Sequence, residues 1–160
     1  MANENRTISN LGIDLIKHFE SFRAKSYKDS AGVWTIGYGT IIIGGVPVGP
    51  NMMCTEAQAI EWMAHDVVKK ERHVHRLTKV DLPQHQFDAL VSFTYNVGEG
   101  ALAQSTLLKR INARLPVEEA RFTDWNKARV NGVLKPLGGL TRRRKAEYHL
   151  FTTGSLRFHF

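Results

Sequence analysis

Between residues 26 and 50 the chain abandons helical periodicity. Six glycines (32, 37, 39, 44, 45 and 49) and two prolines (47 and 50) punctuate the stretch. The residues between them are β-prone: Val33, Trp34, Ile36, Tyr38, Ile41, Ile42, Ile43 and Val46. No helix tolerates that density of glycine and proline. The segment predicts short strands and tight turns, a small antiparallel sheet of about three strands. Both flanks are helical. Upstream, Ile13, Ile16, Phe19 and Phe22 recur every three residues, Leu15 widens the stripe and Ser9 stands at a capping position, predicting a helix over about 10–22. Downstream, Thr55-Glu56-Ala57-Gln58 reads as a capping box. Behind it Ile60, Met63, Ala64, Val67, Val68 and Val74 sustain a helical stripe.

The remainder is helical with breaks. Pro83 takes a first-turn position ahead of Phe87, Leu90, Val91 and Thr94, and Gly98 and Gly100 end that helix. Ser105 or Thr106 starts a short helix with Leu107, Leu108 and Ile111. Pro116 opens another with Ala120, Phe122 and Trp125. Residues 129–139, with Gly132, Pro136, Gly138 and Gly139, read as a loop. Thr141 is placed to cap a last helix that Gly154 ends. One helix, a small sheet and five or six further helices make an α+β chain with segregated elements.

At 160 residues this is one domain, large enough to bury a core without staples. The net charge is +7 and the pI near 9.8, which points to a polyanionic partner: nucleic acid, an acidic membrane or an anionic cell envelope. The single cysteine, Cys54, rules out an intramolecular disulfide and multi-cysteine metal sites. No pair of the seven histidines combines i, i+4 spacing with a nearby carboxylate, so no metal or cofactor is expected. The polar Met1–Ser9 segment predicts no secretory signal, and no apolar run is long enough to span a membrane.

Three residues carry the candidate chemistry. Glu20 stands at the C-terminal end of the first helix beside Phe19 and Phe22, where the helix dipole and apolar neighbours are expected to raise its pKa, as a general acid needs. Asp29 lies in a hairpin turn and Thr35 on the returning strand. Two carboxylates in distinct environments are the minimum equipment for glycoside hydrolysis, and a threonine hydroxyl can hold the attacking water.

The spacing of Glu20, Asp29 and Thr35 resembles the catalytic spacing of the T4-like phage lysozymes, glycoside hydrolase family 24. Their surroundings, Gly12 to Glu20 and Thr35-Ile36-Gly37-Tyr38-Gly39, are similar to this family's opening. Gln86 to Phe93, Tyr95 to Gly98, Ser105 to Leu108 and Gly139 to Glu147 resemble its later blocks, and the match is closer to P22-like endolysins than to the T4 enzyme. The resemblance implies a lysozyme-like fold within one domain spanning 1–160. A sheet lobe (about 24–54) is joined by a long helix (about 55–75) to a helical lobe (about 76–160 with the N-terminal helix). It implies an inverting cleavage of the β-1,4 bond between N-acetylmuramic acid and N-acetylglucosamine, with Glu20 as proton donor and Asp29, assisted by Thr35, activating water. Ile41, Tyr95, Asn96 and Thr106 match substrate-contacting positions, and Arg144 matches an arginine that pairs with the catalytic glutamate. Arg142 and Arg143 are expected on a solvated basic face. Thr40 stands where the family often has histidine and Leu102 where it often has phenylalanine, which bears on local stability and cleft shape.

Peptidoglycan is then the expected partner, for a monomer made in the host cytoplasm and released to the cell wall by a separate membrane-permeabilising holin. The basic, aromatic end Leu156-Arg157-Phe158-His159-Phe160 offers either a tail packed on the helical lobe or attraction to an anionic envelope surface. Two other functions compete. A lytic transglycosylase on the same bond needs one acid and no activated water, so Asp29 and Thr35 speak against it. A nucleic-acid-binding domain would explain the charge and the Arg142–Lys145 run, but the chain has no zinc-finger or RRM-type motif, and no specific nucleic acid is expected.

Overall fold

The computed structural model describes residues 3–160. The order is α1 (Asn10–Glu20), β1 (Arg23–Lys28), β2 (Trp34–Gly37), β3 (Ile42–Ile43), β4 (Val46–Pro47), α2 (Glu56–Leu77), α3 (Gln84–Val97), α4 (Glu99–Gln104), α5 (Thr106–Asn112), α6 (Glu119–Thr123), β5 (Lys127–Val130), β6 (Val133–Pro136) and α7 (Gly138–Thr153). This is the mixed α+β architecture of the sequence reading.

α3 organises the molecule. Its residues Phe87 to Thr94 are all buried, and a helix buried all round must sit inside a shell of others. α7, α2 and α1 pack around it. The polar members of the buried run are satisfied: Thr94 donates to the Leu90 carbonyl at 2.7 Å and Ser92 to Glu147 Oε2 at 2.6 Å. Gly12 lets α1 lie close to α3, since a Cβ there would come within 3.0 Å of Asp88 Cβ. Ser9 is the N-cap of α1, but its own side chain does not close the helix. Its N–H and hydroxyl both donate to Asp88 of α3, so the helix start is pinned by a neighbour.

α2 begins with the expected capping box. The Gln58 N–H donates to Thr55 Oγ1 at 3.2 Å and the Thr55 N–H to Gln58 Oε1 at 2.9 Å. Its 22 residues make a rod about 33 Å long. Ala59, Met63, Val67 and Val74 form its buried stripe.

The expected three-stranded sheet is instead two separate two-stranded ladders. β1 pairs antiparallel with β2, Tyr27 opposite Thr35 and Lys28 opposite Trp34, with an irregularity after Arg23. β3 and β4 pair as Ile42 with Pro47 and Ile43 with Val46. Gly44 and Gly45, at φ +57° and +82°, close that hairpin so tightly that only two residues pair on each side. Single bridges, Lys25 to Met53 and Ile36 to Thr40, tie the pieces together.

Several boundaries differ from the sequence reading, among them the helix expected to open at Pro116, which runs Glu119–Thr123 and excludes Trp125. Residues 129–139 are not a loop: β5 and β6 form a hairpin around Asn131 and Gly132, both at positive φ, the geometry of a two-residue turn. α7 starts at Gly138, and Thr141 lies inside it, its hydroxyl donating to the Leu137 carbonyl at 3.1 Å rather than capping. Pro83 precedes α3 as its N-cap. Gly98 ends α3, but Gly100 lies within α4. The C-terminal tail packs on α1: the Phe158 ring stacks on His18 at 3.9 Å and meets Phe19 edge-on at 5.9 Å. Among the described residues no helix is long and apolar enough to cross a membrane.

Candidate active site

Glu20 is the last residue of α1, and the chain leaves it through Ser21, whose backbone sits at φ +58°, ψ 150°. That region is nearly closed to side-chain-bearing residues, so the exit from α1 is strained. Glu20 is held on two sides. Arg143 Nη1 donates to Glu20 Oε2 at 2.5 Å. On the other side the backbone of Gly39, at φ +85°, comes so close that a Cβ would lie 2.6 Å from Glu20 Oε1. At that φ, and with Glu20 where it is, the seat favours glycine.

Arg143 is itself almost fully buried, its side chain 4 % exposed. It donates from Nη2 to the Ser92 carbonyl at 3.1 Å and from Nε to Glu147 Oε2 at 3.3 Å. Burial works against its charge, but the carboxylates of Glu20 and Glu147 outweigh it and push the guanidinium above its ordinary value. This corrects the expectation for both arginines. Arg143 is not on a solvated face, and it, not Arg144, pairs with Glu20. Arg144, fully buried, pairs with Glu147 at 2.6 Å and donates to Asn96 Oδ1 at 3.0 Å and the Trp125 carbonyl at 3.3 Å. Two arginines thus share one buried carboxylate, Glu147, and each reaches the cleft differently: Arg143 through Glu20, Arg144 through Asn96.

Asp29 sits in the β1–β2 turn. Its Oδ1 accepts from the Ala31 and Val33 N–H groups, both at 2.9 Å. Among the described residues no donor reaches Oδ2 by hydrogen bond, and Asp29 itself lines a cavity. Thr35 is 4 % exposed, and its hydroxyl donates to the Val33 carbonyl at 2.9 Å. With its proton committed, the hydroxyl oxygen offers lone pairs to a water. Tyr27, directly across the ladder from Thr35, shares its face of the sheet. Burial raises the Tyr27 phenol, and the charges of Glu20 and Asp29 add to the shift while Arg23 opposes it.

Three cavities open around Glu20, Asp29 and Tyr95, while the buried Thr35 lines none of the three. One of ≈ 460 Å³ is lined by Glu20, Arg143, Asn96 and Leu140, and one of ≈ 390 Å³ by Asp29, Asn96, Trp125 and Leu140. Asn96 and Leu140 belong to both, so the Glu20 and Asp29 cavities are neighbours with a common wall. A third, ≈ 210 Å³, is lined in part by Ile41, Gly39 and Tyr95. A further hollow, ≈ 530 Å³, lies among residues 3–7 and Gln84 and contains none of them. The Tyr95 hydroxyl donates to the Tyr38 carbonyl at 2.7 Å, and burial, with the charges of Glu20 and Asp66, raises its pKa well above the usual phenol value. Thr106 is not gathered in: it is the exposed first residue of α5, and Ser105 caps that helix by accepting from the Leu108 N–H at 3.0 Å. Thr40, in place of the family's frequent histidine, is buried and donates to Asp66 at 3.3 Å. Gly39, Tyr27, Arg143 and Glu147 were not singled out as site residues from sequence. Gly39 alone carried a signal, as the second glycine of a strand-end turn close to the chemistry.

The profile of the phage lysozyme family matches residues 17–147. The chain belongs to that family, and it is a peptidoglycan-hydrolysing enzyme. An endolysin from Escherichia coli O157:H7 phage FAHEc1 superposes with a TM-score of 0.89 at 40% identity, covering 96% of this chain and 98% of that one. The endolysin of Acyrthosiphon pisum secondary endosymbiont phage 1 is 40% identical over 90% of this chain and 97% of its own length. That of Bacillus phage B103 is 45% identical over 92% of this chain, which spans about half, 54%, of that longer relative.

Proposed function

We propose that the chain is a muramidase that hydrolyses the β-1,4 bond between N-acetylmuramic acid and N-acetylglucosamine during host-cell lysis. The seat of Glu20 carries the reading: Arg143 fixes Oε2 and Gly39 confines Oε1, so one carboxyl oxygen is oriented with little freedom. Glu20 gives its proton to the leaving glycosidic oxygen as the bond to C1 breaks. A water held between Asp29 Oδ2 and the Thr35 hydroxyl adds to C1 and passes its proton to Asp29. Asn96, held by Arg144, together with Tyr95 and Ile41, lines the path of the glycan strand.

The reading extends to a monomer synthesised in the host cytoplasm and admitted to the wall by a separate holin. With Phe158 packed on α1, attraction to an anionic envelope falls to Arg157 and the half-exposed Phe160. Glu20→Gln is expected to abolish clearing of a peptidoglycan suspension with the circular dichroism spectrum unchanged. Full activity in that variant would remove Glu20 from the mechanism. Mass analysis of the products decides the reaction: hydrated reducing ends mean hydrolysis, and products one water lighter mean transglycosylation.

A further inference from the structure

Next to the cleft, α2 carries two cations that no acid among the described residues pairs with directly. Lys69 and Lys70 both line the ≈ 210 Å³ cavity. Among the described residues neither ammonium forms an ion pair. The one acid in the cavity wall, Asp66, instead accepts a hydrogen bond from the Thr40 hydroxyl. Two cations against one anion leave this wall one positive charge in surplus. Burial pushes the Lys70 amine below its ordinary value, partly opposed by Asp66 and reinforced by Lys69. A partly dehydrated cation that shares its nearest counter-charge with a second cation gains free energy when an anion arrives. Facing the lysines are Ile41 and Ile42, 45% and 49% exposed, an apolar wall suited to a carbon skeleton.

The cavity adjoins the chemistry. A Cβ on Gly39 would meet Glu20 Oε1 at 2.6 Å and Tyr95 Cε1 at 3.6 Å, and Gly39 and Tyr95 both line the cavity. One residue's backbone therefore separates an occupant of the cavity from Glu20.

We propose that Lys69 and Lys70 form an anion-recognition subsite that binds a carboxylate carried by the glycan strand beside the bond being cut. This rests on the muramidase reading, since a muramyl strand carries such groups and a plain N-acetylglucosamine polymer does not. Two sources share the chemistry: the free carboxylates of the peptide stem, and the lactyl carboxylate exposed where a stem has been removed.

The test compares the parent with the Lys69→Ala/Lys70→Ala double variant on three strand preparations: stem-bearing, amidase-stripped, and stripped strands whose carboxyls have been converted to methylamides. The KM of the variant is expected to rise about 5–10-fold on charged strands with kcat within about twofold, and to stay unchanged on methylamide strands. A rise on stem-bearing strands alone assigns the stem, and a rise on stripped strands assigns the lactyl group. Lys79→Ala/Lys109→Ala removes the same charge from exposed positions outside the cleft. An equal rise in that variant, an equal rise on methylamide strands, or no rise on any preparation overturns the subsite. An unchanged melting temperature in the Lys69/Lys70 variant separates lost binding from lost fold. The parent reading fails separately: a wild type that releases no muramic-acid reducing ends from any preparation is not a muramidase, and the subsite falls with it.

Discussion

Replacing Gly39 by alanine separates the site from the scaffold. The added Cβ would lie 2.6 Å from Glu20 Oε1, where ordinary contacts begin at 3.4 Å. Something must move by about 0.8 Å, and a misplacement near 1 Å costs on the order of 100-fold in rate. The group that gives way is the end of the Glu20 side chain, because it is flexible and the Gly39 backbone is not. For stability that movement costs little. The main penalty is the φ of +85°, which disfavours alanine by about 1–2 kcal/mol. With an unfolding entropy of about 0.34 kcal/mol/K for a chain of this length, the melting temperature should fall by only about 3–6 °C. The assay pairs thermal melting followed by circular dichroism with the initial rate of clearing of a peptidoglycan suspension at 25 °C. The expected result is a folded protein with a rate down at least about 100-fold. A variant that clears within about threefold of the parent would refute the reasoning, because the Glu20 oxygen confined by Gly39 would then not be the one that matters.

Ser21→Gly should raise stability. It relieves a backbone conformation worth about 1–3 kcal/mol of strain, against about 0.4–1 kcal/mol of added unfolded-state entropy, for a melting temperature roughly 3 °C higher. A lower melting temperature would show that the turn is not strained. Glu147→Gln leaves Arg143 and Arg144 buried without their shared counter-ion, a loss of about 3–5 kcal/mol and about 9–15 °C by calorimetry. A fall under about 3 °C would mean that Glu20 and the carbonyls of Ser92 and Trp125 suffice for both guanidiniums.

Elements with a strong local signature were legible in the sequence. α2 carries its capping box in four consecutive residues, and α1 and α3 carry apolar stripes that only a helix can bury. The β5–β6 hairpin was missed although Asn131-Gly132 is a turn signal. β6 is exposed at every position, so no buried face was written into it. The start of α7 was misplaced because Gly138 and Gly139 are poor helix formers, while the structure begins the helix on them. The arginine assignment failed for a different reason. Arg142, Arg143 and Arg144 are chemically identical neighbours, each turned about 100° from the last, and only tertiary packing decides which one meets Glu20. Glu147 was invisible for the same cause: nothing local marks a glutamate as the hub of two buried guanidiniums. Glu20, Asp29 and Thr35, by contrast, stand on a short helix–hairpin unit, and it was their resemblance to the family's catalytic spacing that singled them out.

The two small ladders have a consequence for the order in which the molecule comes apart. The shared hydrophobic cluster is built almost wholly from helices, and from the strands and turns between residues 23 and 50 only Tyr38 enters it as a buried member. Such a segment opens at a smaller free energy than the helices it rests on. Amide protons of β1 and β2 should therefore exchange through local opening, well before those of α3, which report global unfolding. Asp29 and Thr35 travel with the opening unit while Glu20 and its arginine stay behind. Catalysis is thus lost on heating or in denaturant while most of the helix signal remains.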